Sequence, residues 1–258
     1  MQGTAASKGG FDEIQVEQAR RCGGVRALDG VTFALQEGEL LGLIGPNGAG
    51  KTTALRAITG TVRPDRGAVA LAGLDLTRLP VHRRVRAGLG MSQQLVRPFR
   101  AMTAIENVML AASAAKTGAP LRALFQRGRA AERQKARVHL NTVGIAEVAE
   151  SAPDSLPLGT LKRLEMARAL ALEPKVLLLD EPLAGLNHVE ARRLAETIAE
   201  LNRGGVSIIL IEHNLGEVMR VCSRLVVLDN GRVLGEGAPA AVMAEPEVRA
   251  AYLGAGHA

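Results

Sequence analysis

One octapeptide restricts the possible folds of this chain more than any other feature. Residues 45–52 read GPNGAGKT, which fits the pattern G-x-x-x-x-G-K-[ST], between the apolar segment ELLGLIG and the helix-like segment GKTTALRAITG. Glycines let backbone N–H groups curve around phosphate oxygens, and the following helix N-terminus favours negative charge. A plain glycine-rich turn before a helix is the alternative, but the strand–loop–helix order favours a phosphate-binding loop.

The loop pattern assigns roles to individual residues. Lys51 is expected to reach the β- and γ-phosphates, and the Thr52 hydroxyl to bind Mg²⁺. ATP and Mg²⁺ are therefore the predicted cofactors. The predicted nucleotide-binding residues are Gly45, Pro46, Asn47, Gly48, Ala49, Gly50, Lys51, Thr52, Thr53 and Asp180.

A second segment supplies carboxylates. VLLLDEP, residues 176–182, reads as a buried strand that delivers Asp180 at its carboxyl end, where ligands bind in open α/β sheets. Asp180 is expected to hold Mg²⁺ through water, and Glu181 to polarise the attacking water as a general base. Alone, DEP is a common strand exit. Together with the phosphate loop it predicts a nucleotide hydrolase.

Two further residues are candidates for sensing the γ-phosphate. His213 follows the apolar segment VSIILIE, and Gln94 follows the strand-like LGMSQ. A lone histidine after a strand is more often structural, but here the order strand, Asp-Glu, helix, strand, His places His213 near the γ-phosphate. A single glutamine is weak evidence by itself. The predicted catalytic residues are Glu181, His213 and Gln94, and the candidate Mg²⁺ ligands are Thr52, Gln94 and Asp180.

The rhythm of the chain predicts an α/β fold with a parallel sheet and helices on both faces. With the phosphate loop inside that rhythm, the pattern resembles a P-loop NTPase (RecA-like) core. Residues 11–38 alternate apolar and polar positions, which predicts an antiparallel β subdomain, and Asn230–Gly231 predicts a hairpin. A helix is expected over TLKRLEMARALALEP. The predicted divisions are a loose tail at 1–10, a nucleotide-binding domain at 11–240 with an inserted helical subdomain at about 98–160, and a helical tail at 241–258.

Composition excludes several classes of protein. Two cysteines are too few for a disulfide framework, which favours a reducing compartment, and the first ten residues lack the apolar segment of a secretory signal. The apolar runs are too short to span a membrane. Residues 116–139 contain seven basic residues and one acid, so the net charge of this block is as large as the net charge of the whole chain, +6. The block is either a solvated helical face or a surface for anionic membrane or nucleic acid.

These motifs together resemble the ATP-binding subunits of ABC transporters, and more narrowly those that import branched-chain amino acids and related hydrophobic or amide substrates. The match rests on LIGPNGAGKTT, TAIENVML, KRLEMARALALEPKVLLLDEPLAGLN, LIEH and EVRAAYLG. The resemblance implies that Gln94 is the Q-loop glutamine, Asn187 lies in the D-loop and His213 is the switch histidine. It also implies the signature position, residues Leu156, Pro157, Leu158, Gly159 and Thr160.

The resemblance further implies partners and a location. Two ATP-binding subunits meet head to tail, each ATP lying between one phosphate loop and the other subunit's signature. Membrane permease subunits dock on the helical subdomain, and a periplasmic or extracellular substrate-binding protein acts indirectly. The chain is expected at the cytoplasmic face of the cell membrane, as a peripheral subunit paired with a paralogue rather than itself, with no nucleic-acid partner.

Three positions depart from the family pattern. Cys22 stands where an aromatic ring usually stacks on adenine, and Asn187 replaces the usual D-loop Asp. LPLGT replaces LSGGQ, so Pro157 removes a hydroxyl that meets the γ-phosphate. Gly159 and the helix N-terminus after it are still expected to offer N–H groups to phosphate.

Other functions fit parts of the sequence. The ATPase of a lipid or lipopolysaccharide exporter uses the same motifs, and a regulatory nucleotide-binding module would tolerate the altered contacts. A soluble ABC-type ATPase acting on nucleic acid or ribosomes is disfavoured. Relatives that maintain chromosomes need a long coiled coil between the phosphate loop and the signature, whereas here these motifs are about 105 residues apart and no sustained heptads appear. Relatives that act on ribosomes carry two ATPase domains in one chain, and the motifs here indicate one.

Overall fold

The computed structural model describes residues 14–16, 18–19, 21–22, 25–92, 97–117 and 130–254. The strands are β1 (Ile14–Val16), β2 (Gln18–Ala19), β3 (Arg21–Cys22), β4 (Val25–Arg26), β5 (Val31–Phe33), β6 (Leu40–Ile44), β7 (Pro64–Arg66), β8 (Ala70–Leu71), β9 (Leu74–Asp75), β10 (Leu89–Ser92), β11 (Val176–Asp180), β12 (Ser207–Ile211), β13 (Arg224–Asp229) and β14 (Arg232–Gly237). The helices are α1 (Lys51–Thr59), α2 (Val81–Arg86), α3 (Ala104–Thr117), α4 (Ala130–Thr142), α5 (Leu158–Leu170), α6 (His188–Arg203), α7 (Leu215–Val221), α8 (Pro239–Ala244) and α9 (Pro246–Gly254), with 3₁₀ turns at Ala146–Val148 and Pro153–Ser155.

The central sheet has six strands in the order β10-β11-β12-β6-β13-β14. The first five are mutually parallel, and β14 closes the edge antiparallel to β13 through the predicted Asn230–Gly231 turn. The order puts β11, β12 and β6 side by side. Their carboxyl ends therefore lie at one edge, where Asp180, His213 and the phosphate loop follow.

Each central strand divides its side chains between two cores. In β6, Leu40 and Ile44 pack into the core beneath the long helices, whereas Leu41 and Leu43 pack into the core around α1. The strands β11 and β12 alternate in the same way, because successive residues of a strand point to opposite faces. Helices thus cover both faces, and the predicted α/β fold with a parallel sheet is confirmed.

Short antiparallel pairs precede and flank the main sheet. They are β1–β5, β2–β7, β3–β4 and β8–β9. Between β10 and β11 the described residues form helices and 3₁₀ turns, with α3, α4 and α5 packed together. The domain boundaries at about 98–160 and at 241 remain predictions, and the tail at 1–10 lies outside the described residues.

The predicted start of one helix is wrong. Helix α5 begins at Leu158 rather than Thr160, because Pro157 is the N-cap and its carbonyl already accepts the first helical hydrogen bond, from the Leu161 N–H at 2.9 Å. LPLGT is therefore a cap and a first helical turn, not a loop before a helix. The helix also ends earlier than predicted, at Leu170 rather than Pro174. No helix within the described ranges is long and apolar enough to cross a membrane.

Candidate functional site

The phosphate loop joins β6 to α1 and is fixed by the β13–β14 hairpin. Gly45 has φ 147°, and a Cβ there would lie 2.0 Å from the carbonyl oxygen of Leu228. The Gly231 N–H donates to the Ala49 carbonyl at 3.0 Å. Glycine at position 45 is therefore required by the close approach of the hairpin, in addition to its use in wrapping phosphate.

Lys51 is the buried cation of the loop. Its ammonium donates to the Gly45 carbonyl at 2.7 Å and to the Pro46 carbonyl at 2.9 Å, and the residue is 6% exposed. Burial lowers the pKa of Lys51, and the nearby charges of Glu181 and Asp180 oppose this shift. The lysine thus lies folded over the loop, with the first N–H groups of α1 next to it.

Asp180 ends β11 and is 6% exposed. Its Oδ1 atom has no hydrogen-bond partner among the described residues, and burial followed by the charge of Glu181 raises the pKa of its carboxyl. A buried carboxylate oxygen without a partner is an incomplete arrangement that a cation or its water would satisfy. Asp180 and the Thr52 hydroxyl at the start of α1 therefore fit Mg²⁺.

The remainder of a Mg²⁺ shell has to come from elsewhere. Within the part of the chain that the structure describes, no group of three His, Cys, Asp or Glu side chains could hold a metal. Magnesium characteristically binds one or two protein groups together with waters and substrate phosphates. The donor set matches that chemistry.

Glu181 and His213 face each other beside the loop. Glu181 Oε1 lies 3.0 Å from His213 Nε2, and the Glu181 side chain is 17% exposed. Both residues border a cleft of about 170 Å³, which is otherwise lined by Ala27, Asn47, Gly48, Ala49, Gly50, Lys51, Thr52 and Thr53. One cleft thus combines anion-binding N–H groups, a lysine, a carboxylate able to accept a proton and an imidazole able to orient it.

Buried polar residues that the sequence analysis did not single out support this site. Glu212 is 3% exposed and accepts hydrogen bonds from the N–H groups of Leu183 and His213. Burial raises the pKa of its carboxyl, and the two hydrogen bonds oppose this shift. The Lys162 ammonium donates to the Glu181 carbonyl at 3.0 Å. The segments KRLE and LIEH contained the signal, since each puts a charged residue next to apolar ones that pack into the core.

The C-terminal segment also reaches the site. Tyr252 of α9 packs against the core that includes Ile44, and burial raises its pKa to about 12, opposed by a backbone hydrogen bond from Gly45. This places the tail segment EVRAAYLG against the first glycine of the phosphate loop.

The signature position lies away from this cleft on the same chain. Pro157 and Leu158 are exposed, and the Leu158 side chain lies over Gly185, where an added Cβ would be 3.1 Å from its Cδ2 atom. Leu156, Gly159 and Thr160 are partly buried. The N–H groups of the first helical turn, residues 158–160, point out of the end of α5.

Asn187 has a clear local role. It is the N-cap of α6 and forms a capping box with Glu190, with N–H to oxygen distances of 3.0 and 3.2 Å. Asn caps as well as Asp does, so the exchange preserves the helix start. It removes one negative charge from that end of the helix.

Some predicted residues fall outside what the structure describes. Gln94 lies outside the described residues, and the backbone of Cys22 pairs with Val25 while its side chain is not described. Of the basic block, Arg133 and Arg137 contact Glu150, and Lys135 lies 3.6 Å from Glu173. These three cations are exposed and ion-paired, which agrees with a solvated helical face.

Comparison with known proteins decides the family. The model of the ABC transporter family matches residues 28–184, which is more than half of the chain. The chain belongs to the ABC transporter ATP-binding family. Its members hydrolyse ATP, and this cassette is an ATPase subunit of a transporter. A second model, the branched-chain amino acid ATP-binding cassette transporter, matches residues 232–258.

Individual relatives cover nearly the whole cassette. The high-affinity branched-chain amino acid transport ATP-binding protein LivG of Salmonella typhimurium is 40% identical, covering 91% of this chain and 94% of that protein. The lipopolysaccharide export system ATP-binding protein LptB of Acidithiobacillus ferridurans is 38% identical, covering 87% and 89%. The crystal structure of the ADP conformation of an ATP-binding cassette of an ABC transporter matches with a TM-score of 0.83 and 28% identity, over 94% of this chain and 98% of that one.

Proposed function

We propose that the cassette energises an importer of branched-chain amino acids or related hydrophobic or amide substrates. The observation that carries this proposal is the match of residues 232–258 to the branched-chain amino acid model, supported by the identity to LivG. The second candidate is lipopolysaccharide export, which the nearly equal identity to LptB favours.

In the proposed reaction cycle the chain's own residues bind and activate. Lys51 and the loop N–H groups would hold the phosphates, and Thr52 and, through water, Asp180 would hold Mg²⁺. By its resemblance to the Q-loop glutamine, Gln94 would serve as a further metal ligand and as a γ-phosphate sensor. Mg²⁺ supplies charge neutralisation when bound. Glu181 accepts the proton of the attacking water, and the Glu181–His213 contact supports the assignment of His213 to orienting that group.

The proposed partners follow from the family. They are membrane permease subunits, a paralogous second ATP-binding subunit at the cytoplasmic membrane face, and, indirectly, a substrate-binding protein outside the cell. A paralogue is favoured over a second copy because each ATP would face the other subunit's signature. In a homodimer both sites would face Pro157, whereas a paralogue with LSGGQ leaves the Lys51–Glu181 site fully contacted.

The test is purification of the chain with its co-isolating membrane subunits and reconstitution into vesicles. ATP-driven uptake of labelled leucine with the parent chain, lost with Glu181→Gln, is the expected result. ATP-driven release of lipopolysaccharide without leucine uptake would transfer the assignment to export. Salt-dependent binding to DNA or RNA would revive the nucleic-acid alternative.

A further inference from the structure

The backbone of Glu181 is held in an unusual conformation. Its φ of 49° lies in the left-handed region, which a non-glycine residue keeps only where the surrounding structure imposes it. The Glu181 N–H donates to the Ile211 carbonyl at 2.9 Å, and its carbonyl accepts from the Ala184 N–H at 3.2 Å. Strain of this kind at a reactive carboxylate indicates that other groups fix its direction.

One of those groups is Lys162, the fifth residue of α5. Its ammonium donates to the Glu181 carbonyl at 3.0 Å, and the residue is 8% exposed. Lysine is rarely buried without a partner charge. Burial lowers the pKa of Lys162, and the nearby charges of Glu212 and Glu181 oppose this shift. Lys162 therefore links the helix that begins at LPLGT to the backbone of Glu181 in the same subunit.

The second group is Glu212, which precedes His213. Its Oε1 accepts from the Leu183 N–H at 2.5 Å, and its Oε2 from the His213 N–H at 3.1 Å. Both oxygens face backbone donors, so the side chain has to be an acceptor on both sides. It joins the turn after Glu181 to the segment that carries His213.

We propose that Lys162 and Glu212 are positioning residues for ATP hydrolysis. These two buried charged residues orient Glu181 and His213 and connect them to α5, the helix that begins in the signature position of the same subunit. This rests on the proposed role of Glu181 as the general base. The pair does not contact the cleft that holds the nucleotide. Its loss is therefore expected to reduce the rate of the chemical step rather than ATP binding.

The test uses two substitutions of nearly equal size in the chain assembled with its membrane subunits. Glu212→Gln places an amide N–H₂ against a backbone N–H, and Lys162→Met removes the donor to Glu181. Each is expected to lower kcat about ten- to hundredfold, the equivalent of one charged hydrogen bond, while KM and the calorimetric ATP affinity stay within about twofold. Lys162→Arg keeps a cationic donor and is expected to retain most of kcat.

Matched controls remove the same chemical group elsewhere. Glu196→Gln lies on the exposed face of α6, and Lys175→Met lies just before β11, at the opposite end from Asp180. Both are expected to keep kcat within twofold. Glu181→Gln is measured in parallel. If that variant still hydrolyses ATP, Glu181 is not the general base, and this failure of the proposed function is distinct from a failure of the inference on Lys162 and Glu212.

Two results would overturn the proposal. Values of kcat within twofold of the parent for Lys162→Met and Glu212→Gln would show that Lys162 and Glu212 do not orient Glu181 and His213. A loss of kcat accompanied by an equal loss of ATP affinity, and not restored by Lys162→Arg, would show a purely structural role. If Glu212→Gln does not fold, Lys162→Met against Lys162→Arg decides the matter alone.

Discussion

Substitutions in the signature position are expected to change the ATP-dependent self-association of the chain while leaving its folding stability nearly unchanged. Pro157 is the N-cap of α5 and provides no side-chain cap, and Leu158 lies over Gly185. We expect Pro157→Ser alone to leave ATP-dependent self-association nearly unchanged, because Leu158 still occupies the place of a glycine. Pro157→Ser combined with Leu158→Gly should strengthen it about ten- to hundredfold.

The magnitudes follow from the position in the helix. A serine N-cap contributes about 0.5–2 kcal/mol to the helix, and loss of a proline costs about 0.4–1 kcal/mol through the unfolded chain. These terms nearly cancel, and glycine at Leu158 costs at most about 1 kcal/mol. At this chain length 1 kcal/mol is about 2–4 °C, so Tm should move by only a few degrees. A hydroxyl bound to a phosphate contributes about 1.5–3 kcal/mol, and only in the closed pair.

The assay is sedimentation of the full chain with ATP and Mg²⁺, in a background of Glu181→Gln so that the pair does not reopen by hydrolysis. Melting temperatures of the same variants without nucleotide provide the control. A stable ATP-dependent homodimer of the parent sequence would refute the reasoning, because LPLGT would then close on ATP unaided. Equal association of the single and the double variant would refute the role of Leu158.

Three further changes test other parts of the molecule, and one thiol measurement a fourth. Lys51→Ala should weaken ATP binding at least tenfold in calorimetry, since the phosphates lose a buried cation; unchanged affinity would contradict its role. Cys22→Tyr should tighten ATP by about 0.5–1.5 kcal/mol through an added aromatic stack, and no gain would mean that another group covers the base. Arg84 is 1% exposed and donates to four backbone carbonyls, two of them in α1, so Arg84→Met should cost about 3–5 kcal/mol in urea unfolding, and Arg84→Lys less. Burial raises the pKa of Cys222 to about 12, so peptide mapping should find it unalkylated at pH 8 until the protein unfolds.

Patterns that act over a few residues were readable from the sequence. The strands ending at Ile44 and Asp180, the helix from Lys51 closed by Gly60, and the hairpin at Asn230 are confirmed. The start of α5 was predicted wrongly, because the Pro157 carbonyl already accepts a helical hydrogen bond and so the helix begins directly after Pro157. The roles of Gln94 and Cys22 stay predictions.

The sequence by itself determined the phosphate loop, the strand that ends in Asp180, the α/β class and the family resemblance, because each is written in contiguous residues with a fixed period or spacing. Only the tertiary structure decided which distant groups meet. The neighbouring positions of β11 and β12 bring His213 within 3.0 Å of Glu181, and the packing of α5 brings Lys162 to the Glu181 carbonyl. It also assigned the hairpin at Gly231 to the support of the phosphate loop, more than 170 residues away along the chain. Such contacts depend on the order of strands in the sheet, and local periodicity carries no information about that order.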